Sequence, residues 1–364
     1  MSVGDRPALS LADFERTAQP RLDPVAYHYY AGGADDERLL RENEAAWGRA
    51  ALHPRVLRGV DAPSLDCTVL GCPLPMPVLV APMAYQRMIH PDGEVAMAAG
   101  TSAVGGGLVL SSMSTTDMEE VAAASSGPVF FQLYVYDDPA IVRELVARVE
   151  AAGCQALVLT VDLPVVGNRH RDEVHQFTLR EGMSIQCLTA EGPMPMPDEG
   201  ESGLVTFFRR HLKRDLDWDD VAWLRSITRL PIVLKGVLRA DDAARAVDAG
   251  ASAICVSNHG GRQLDAAPAT FDVLPAVVDA VAGRAEVWVD GGIRRGTDIV
   301  KAIAAGATCT LIGRPFAWAL ASDGADGVAS AWAILRRELA IDLALCGCAG
   351  IDAISRDLLF PPQP

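Results

Sequence analysis

The sequence is short of positive charge. Its 364 residues hold 32 lysines and arginines against 47 aspartates and glutamates, a formal net charge of −15. A chain that acidic offers no broad cationic face to DNA, RNA or an anionic membrane, so partners of those classes are not expected. A local group of arginines can still hold a small anion. Any CxxC pair is missing too. The eight cysteines (Cys67, Cys72, Cys154, Cys187, Cys255, Cys309, Cys346 and Cys348) are scattered, and the last two stand too close together for the usual zinc-ligand spacing. No metal site is expected, and the cysteines read as reduced, mostly packing thiols of a cytoplasmic protein. The opening MSVGDRPALSLADF lacks a basic region followed by an apolar core, so no secretory leader is expected. No apolar run has the length of a bilayer span. The nearest, Val95 to Leu110, is short, is interrupted by Thr101 and Ser102, and reads as a helix followed by a buried strand.

What remains is a chain with half its residues hydrophobic, enough for a sizeable core. Residues 10–50 carry apolar and charged residues at helical spacing in SLADFERTAQ and DDERLLRENEAAW, joined by a linking segment YHYYAGGA that ends in a glycine pair, read as a helix stop. From about residue 78 the rhythm changes. Eight short apolar runs appear: 77–82, 107–112, 129–134, 156–162, 231–235, 253–258, 286–292 and 309–314. Helix-like segments separate them, several closing on glycine. Near-continuous apolar strands alternating with helices imply a parallel sheet covered on its faces. Eight such units over roughly 250 residues match a (β/α)8 TIM barrel. The expected organisation is one α/β domain over 1–364, with an N-terminal helical extension over 1–76 and a long loop or lid after strand 4 over 163–230. The middle of that loop, EGPMPMPDEGESG, is acidic and proline-broken and reads as mobile. The alternative, an open doubly wound sheet, would spread the polar strand ends along an edge, whereas a barrel gathers them on one rim.

Those strand ends carry the chemistry. DGGIRRG places Gly292 and Arg294 after the seventh run, and LIGRP places Gly313 and Arg314 after the eighth. Glycines let backbone amides approach a ligand, and the loops after the last two strands of such barrels commonly hold phosphate. Lys235 ends the fifth run, as a cation under an electron-rich ring or as one half of a rim ion pair. In VSNHGGRQLD two glycines free the backbone, so His259 and Arg262 can share one cavity. Histidine is the natural base near neutral pH. Arginine grips a carboxylate through two N–H donors and keeps its charge. Asp162 ends another run and could hold a protonated imidazole, while Arg169 and Tyr29 could add grip on a carboxylate. The substrate implied is small and carboxylated, with a proton to remove beside that carboxylate.

SNHGGRQLD, together with FQLYVY, LTVD, LPIVLKG, DGGIRRGTDIVKA and IGRP in the same order, resembles the FMN-dependent L-2-hydroxy acid oxidases and dehydrogenases, a family that includes glycolate oxidase, lactate oxidase and mandelate dehydrogenase. The resemblance spans almost the whole chain. It implies FMN as cofactor, His259 as the base and Asp162 as its partner. It implies Arg262, Arg169 and Tyr29 on the substrate carboxylate and Tyr134 beside the substrate hydroxyl. Ala84, Ser111, Gln132, Thr160 and Lys235 match the flavin-ring contacts, and Asp290, Gly292, Arg294, Gly313 and Arg314 the ribityl and phosphate contacts. It also suggests a homotetramer.

Met113 stands where glycolate oxidase has a tryptophan, and Tyr85 follows Ala84. A flexible thioether accommodates an aromatic ring, so an aromatic acid such as (S)-mandelate or 4-hydroxymandelate is expected, and a bacterial hydroxymandelate oxidase is the nearest relative suggested. The acidic long loop and the missing haem domain favour O2 over a membrane quinone as acceptor, although FFRRHLKR (207–214) is a basic-aromatic patch. The alternatives are an acceptor-linked dehydrogenase, a glycolate or lactate oxidase, an FMN-dependent isomerase and a non-catalytic phosphate-binding barrel.

Overall fold

In the computed structural model, which describes residues 7–188 and 203–360, the chain opens with helices α1 (Leu11–Ala18), α2 (Pro24–Ala31) and α3 (Arg38–Arg49). In the segment YHYYAGGA, expected as a link, residues 27–31 instead form the second half of α2, which stops at the glycine pair as expected, with Gly32 as its C-cap. Pro24 supplies a preset first turn and the Asp23 side chain accepts the Val25 N–H. Tyr29 and Tyr30 are buried, so tertiary packing holds a helix that local sequence leaves open. A two-residue strand β1 (Ala51–Leu52) and a hairpin of β2 (Cys67–Val69) and β3 (Cys72–Leu74) complete the extension.

Eight parallel strands follow: β4 (Val78–Val80), β5 (Gly107–Ser111), β6 (Val129–Leu133), β7 (Leu157–Thr160), β8 (Ile232–Val237), β9 (Ala253–Val256), β10 (Glu286–Asp290) and β11 (Cys309–Ile312). Each pairs with the next and β11 closes on β4, so the molecule is a (β/α)8 barrel and every expected run contributes its strand. The outer helices are α4 (Gly93–Ser102), α5 (Met118–Ala123), α6 (Pro139–Ala151), α7 (His170–Val174), α8 (Gly203–His211), α9 (Trp218–Ile227), α10 (Ala240–Asp248), α11 (Thr270–Val281), α12 (Gly296–Ala304) and α13 (Arg314–Cys346). A last strand, β12 (Leu359–Phe360), pairs antiparallel with β1. Val95 to Leu110 is indeed a helix and then a strand. No helix among the described residues is long and apolar enough to cross a membrane.

The barrel is filled from one end. Phe130, Val158, Val233, Trp288 and Leu311 pack its axis, joined by Val69 and Leu74 of the hairpin beneath. Glu286 ties that plug down, accepting the Leu70 N–H at 2.7 Å and the Trp288 indole N–H at 2.9 Å. With the N-terminal end closed, ligand space is left at the C-terminal rim.

The long connection carries α7, α8 and α9. Its acidic middle falls almost wholly in 189–202, outside the described residues. The patch over 207–214 differs from expectation, because Phe207 and Phe208 are buried. Lys213 meets Asp220 at 2.6 Å. The aromatic half belongs to the core rather than to a surface patch. All eight cysteines are free thiols, six of them buried.

Candidate active site

The C-terminal rim surrounds a cavity. Into it run Tyr29 from α2, Ala84, Ser111 and Met113 from the ends of β4 and β5, Gln132 and Tyr134 from β6, Thr160 from β7, Lys235 from β8, and His259 and Arg262 from the turn after β9. Asp290, Gly292 and Arg294 from β10, Gly313 and Arg314 from β11, and Arg169 from the long connection complete the expected set. Asp162 lies behind His259.

His259 Nδ1 is 2.9 Å from Asp162 Oδ1, which leaves Nε2 as the free ring nitrogen. Its backbone takes φ of +59°, a left-handed conformation that costs a non-glycine residue about 1–2 kcal/mol. Two neighbours hold it there. Ser257 Oγ accepts the His259 N–H at 3.1 Å, and Asn258 Oδ1 accepts the Gly261 N–H at 3.1 Å. Burial holds the imidazole below its ordinary pKa, and Asp162 offsets part of that. Burial alone would raise Asp162, but His259 and then Lys235 outweigh it and the carboxyl sits low. Space for Asp162 comes from a bulge in β8. There the register shifts between Lys235 and Val237, and a Cβ on Gly236 would fall 2.6 Å from the Asp162 side chain.

Lys235 is buried, donating to Ser257 Oγ at 2.9 Å and lying 3.1 Å from Asp290 Oδ2. Burial would lower it, but Asp290 and Asp162 dominate and keep it charged. Asp290 lines the cavity, and its Oδ1 is buried with no partner among the described residues. Beside it Gly291 and Gly292 both have positive φ, and a Cβ on Gly292 would strike the Asn43 carbonyl at 2.0 Å.

Four arginines gather along the cavity. Arg262 lies over the Tyr29 ring at 4.8 Å and donates to the Gly32 carbonyl at 2.9 Å. Buried Arg169 approaches it, with Nε 3.3 Å from the Arg262 carbonyl. Burial and then Arg262 pull Arg169 down to about 10. Arg314 spends its donors on the carbonyls of Tyr30 (2.8 Å), Gly32 (2.8 Å) and Gly260 (3.0 Å). Burial, then Arg262 and Arg294, pull it down to about 9. Arg294 reaches Glu44 at 2.6 Å. Arg295, its neighbour in DGGIRRG, turns away to Glu338.

Several participants were not legible in the sequence. Asp172 is buried 3.9 Å from Arg169. Its signal is the i,i+3 spacing in RHRD. Leu204 and Phe208 of α8 form part of the wall, and Phe208 meets the Tyr134 ring edge-on at 5.3 Å. Apolar residues of an amphipathic helix look the same whether they face a core or a ligand. Tyr30, Leu163 and Met83 also line the cavity.

FMN fits this arrangement. One cavity brings the glycine turns at Gly291–Gly292 and Gly313 and the arginines Arg294 and Arg314 together with buried Lys235, and Asp290, whose Oδ1 has no partner among the described residues, lines it with them. Other proteins share the pattern. The family model described as FMN-dependent dehydrogenase matches residues 18–361. The L-lactate oxidase of Nostoc sp. (strain PCC 7120 / SAG 25.82 / UTEX 2576) is 48% identical over 96% of this chain and 98% of its own. Glycolate oxidase 1 of Oryza sativa subsp. indica is 44% identical over 96% and 95%. A crystal structure of mandelate oxidase with (S)-4-hydroxymandelic acid superposes with a TM-score of 0.91 at 40% identity, over 97% of this chain and 98% of that one.

Proposed function

The chain belongs to the FMN-dependent dehydrogenase family, and from that premise we propose that it oxidises an aromatic (S)-2-hydroxy acid, mandelate or 4-hydroxymandelate, to the 2-oxo acid with O2 as the final acceptor. FMN, when bound, accepts two electrons and the α-hydrogen, and O2 recovers them as hydrogen peroxide. The rest falls to the chain. Arg169 and Arg262, with the Tyr29 hydroxyl, hold the substrate carboxylate. Their forked donors fix the acid in one orientation. His259 Nε2 takes the proton of the 2-hydroxyl as the carbonyl forms, and Asp162 stabilises the imidazolium that results. Tyr134 hydrogen-bonds beside that hydroxyl. Lys235 would set a fixed cation beside the flavin ring, where negative charge develops. Ala84, Ser111, Gln132 and Thr160 would hold the ring with it. Asp290, Gly292, Arg294, Gly313 and Arg314 would hold the ribityl chain and phosphate.

The observation that carries this reading is the His259–Asp162 pair at 2.9 Å in one cavity with two arginines and a buried lysine. An isomerase on a related barrel has no need of a paired base facing carboxylate-gripping arginines. The aromatic side of the reading rests on Met113, Leu204 and Phe208, which make the substrate end apolar and adaptable. By the same reading the protein is a cytoplasmic homotetramer that takes no nucleic-acid or membrane partner.

The test is anaerobic titration of the yellow protein with L-2-hydroxy acids, followed by air. The expected result is bleaching by mandelate at lower concentration than by lactate or glycolate, then rapid return of colour with one peroxide per acid. Preference for glycolate would overturn the aromatic assignment. Reduced flavin that persists in air would instead mark an acceptor-linked dehydrogenase.

A further inference from the structure

Tyr85 is fully buried, lines the cavity, and has a hydroxyl with no hydrogen-bond partner among the described residues. A buried phenol is ordinarily paired, because an unmet donor costs about 1–3 kcal/mol. The residue is also held in place at some expense. Its φ is +61°, a region bulky side chains avoid, and its N–H donates to the Met113 carbonyl at 3.2 Å. The ring lies 5.7 Å from that of Tyr29 and 5.8 Å from that of Phe177. After burial, the groups acting on it most strongly are Tyr29, Tyr134, Tyr136 and Arg169; of these Tyr29, Tyr134 and Arg169 line the same cavity, while Tyr136 is buried outside its lining.

An unmet hydroxyl at the substrate end of a wall otherwise made of Met113, Leu204 and Phe208 needs a partner on the ligand. The carboxylate already has Arg169, Arg262 and Tyr29, and the 2-hydroxyl has His259 and Tyr134. What remains is the substrate's side chain. We propose that the Tyr85 hydroxyl is the specificity-determining contact of this pocket, hydrogen-bonding a ring hydroxyl of an aromatic 2-hydroxy acid. The inference rests on the aromatic reading above and adds to it a preference for hydroxylated over unsubstituted rings. Sites built around such a hydroxyl discriminate strongly, because the analogue without it leaves the protein group unpaired.

The test compares kcat/KM for (S)-mandelate and its 2-, 3- and 4-hydroxy derivatives in the wild type and in Tyr85→Phe. Flavin content and melting temperature report folding of the variant. In the wild type one hydroxylated isomer should exceed mandelate by about tenfold or more. In Tyr85→Phe the ratio of that isomer to mandelate should fall about tenfold, mainly through KM, because a contact remote from the reacting carbon is made equally in ground and transition states. A merely structural role would lower all four acids together and leave the ratio unmoved, which would overturn the proposal. So would a wild type that oxidises mandelate as well as every hydroxylated isomer, with the aromatic reading intact. A wild type that oxidises only aliphatic acids would overturn both.

Discussion

At the scale of the residue, the His259–Asp162 pair sets the pH behaviour. The base must be neutral to accept a proton, so kcat/KM should be level above the His259 pKa and fall as pH drops through it. Burial places that pKa below the ordinary histidine value, and Asp162 holds it up from a still lower one. In Asp162→Asn the upward influence is gone. The acidic limb of the kcat/KM profile should therefore move to lower pH. The plateau should fall by about 10²–10⁴, the usual worth of a positioned acid–base group, because the imidazolium formed during the reaction loses its counter-charge. A limb that stays in place or moves up would show that Asp162 does not govern the base. The bulge at Gly236 belongs to the same arrangement, since any side chain there would occupy the space of the Asp162 carboxylate.

At the scale of the element, α3 does more than cover the barrel. Its Asn43 exchanges two hydrogen bonds with Asn258, at 2.8 and 2.7 Å, just before the catalytic histidine of the proposed mechanism. Its Trp47 donates to the Gly291 carbonyl at 2.8 Å. Asp265, after the histidine turn, accepts the Leu39 N–H at 2.8 Å at the start of the same helix. One helix thus braces the turns after β9 and β10. Asn43→Ala should lower stability by about 1–3 kcal/mol through the loss of two buried hydrogen bonds, with Asn258 left to the Gly261 N–H and the Pro268 carbonyl. It should also lower kcat more than it raises KM, because the base is displaced while the carboxylate grip is kept. Unfolding curves and steady-state kinetics on one preparation separate the two effects, and an unchanged kcat would remove α3 from the positioning role. The sequence showed this helix by its spacing but not its bracing role, because the contacts join residues more than 200 positions apart. The eight barrel strands were legible because burial on both faces writes them as unbroken apolar runs. The wall from α8 was not, and the second half of α2 reads as a link, although its glycine stop is legible, because the packing of Tyr29 and Tyr30 decides the conformation.

At the scale of the whole molecule, an acidic chain gathers its deepest cations at one rim. Arg314 and Arg262 are met mainly by backbone carbonyls, and with Arg169 and Arg294 they concentrate positive potential where the net charge of −15 predicts none. Such focusing draws in anions and leaves the cations incompletely compensated without one. Burial and mutual repulsion pull Arg314 down to about 9, so an anion at this spot relieves a real electrostatic cost. A phosphate there should act as a structural counter-ion as well as a handle. Stripping FMN should therefore lower the melting temperature, and restoring it at a hundredfold excess over Kd should return about 2.7 kcal/mol. Riboflavin has the same ring system without the phosphate, so at equal concentration it should return clearly less, and inorganic phosphate alone should return a fraction. In Arg314→Met the advantage of FMN over riboflavin should shrink toward zero. Thermal melts of the stripped protein with each ligand measure all of this, and equal protection by riboflavin and FMN would mean that the arginine cluster does not anchor the phosphate.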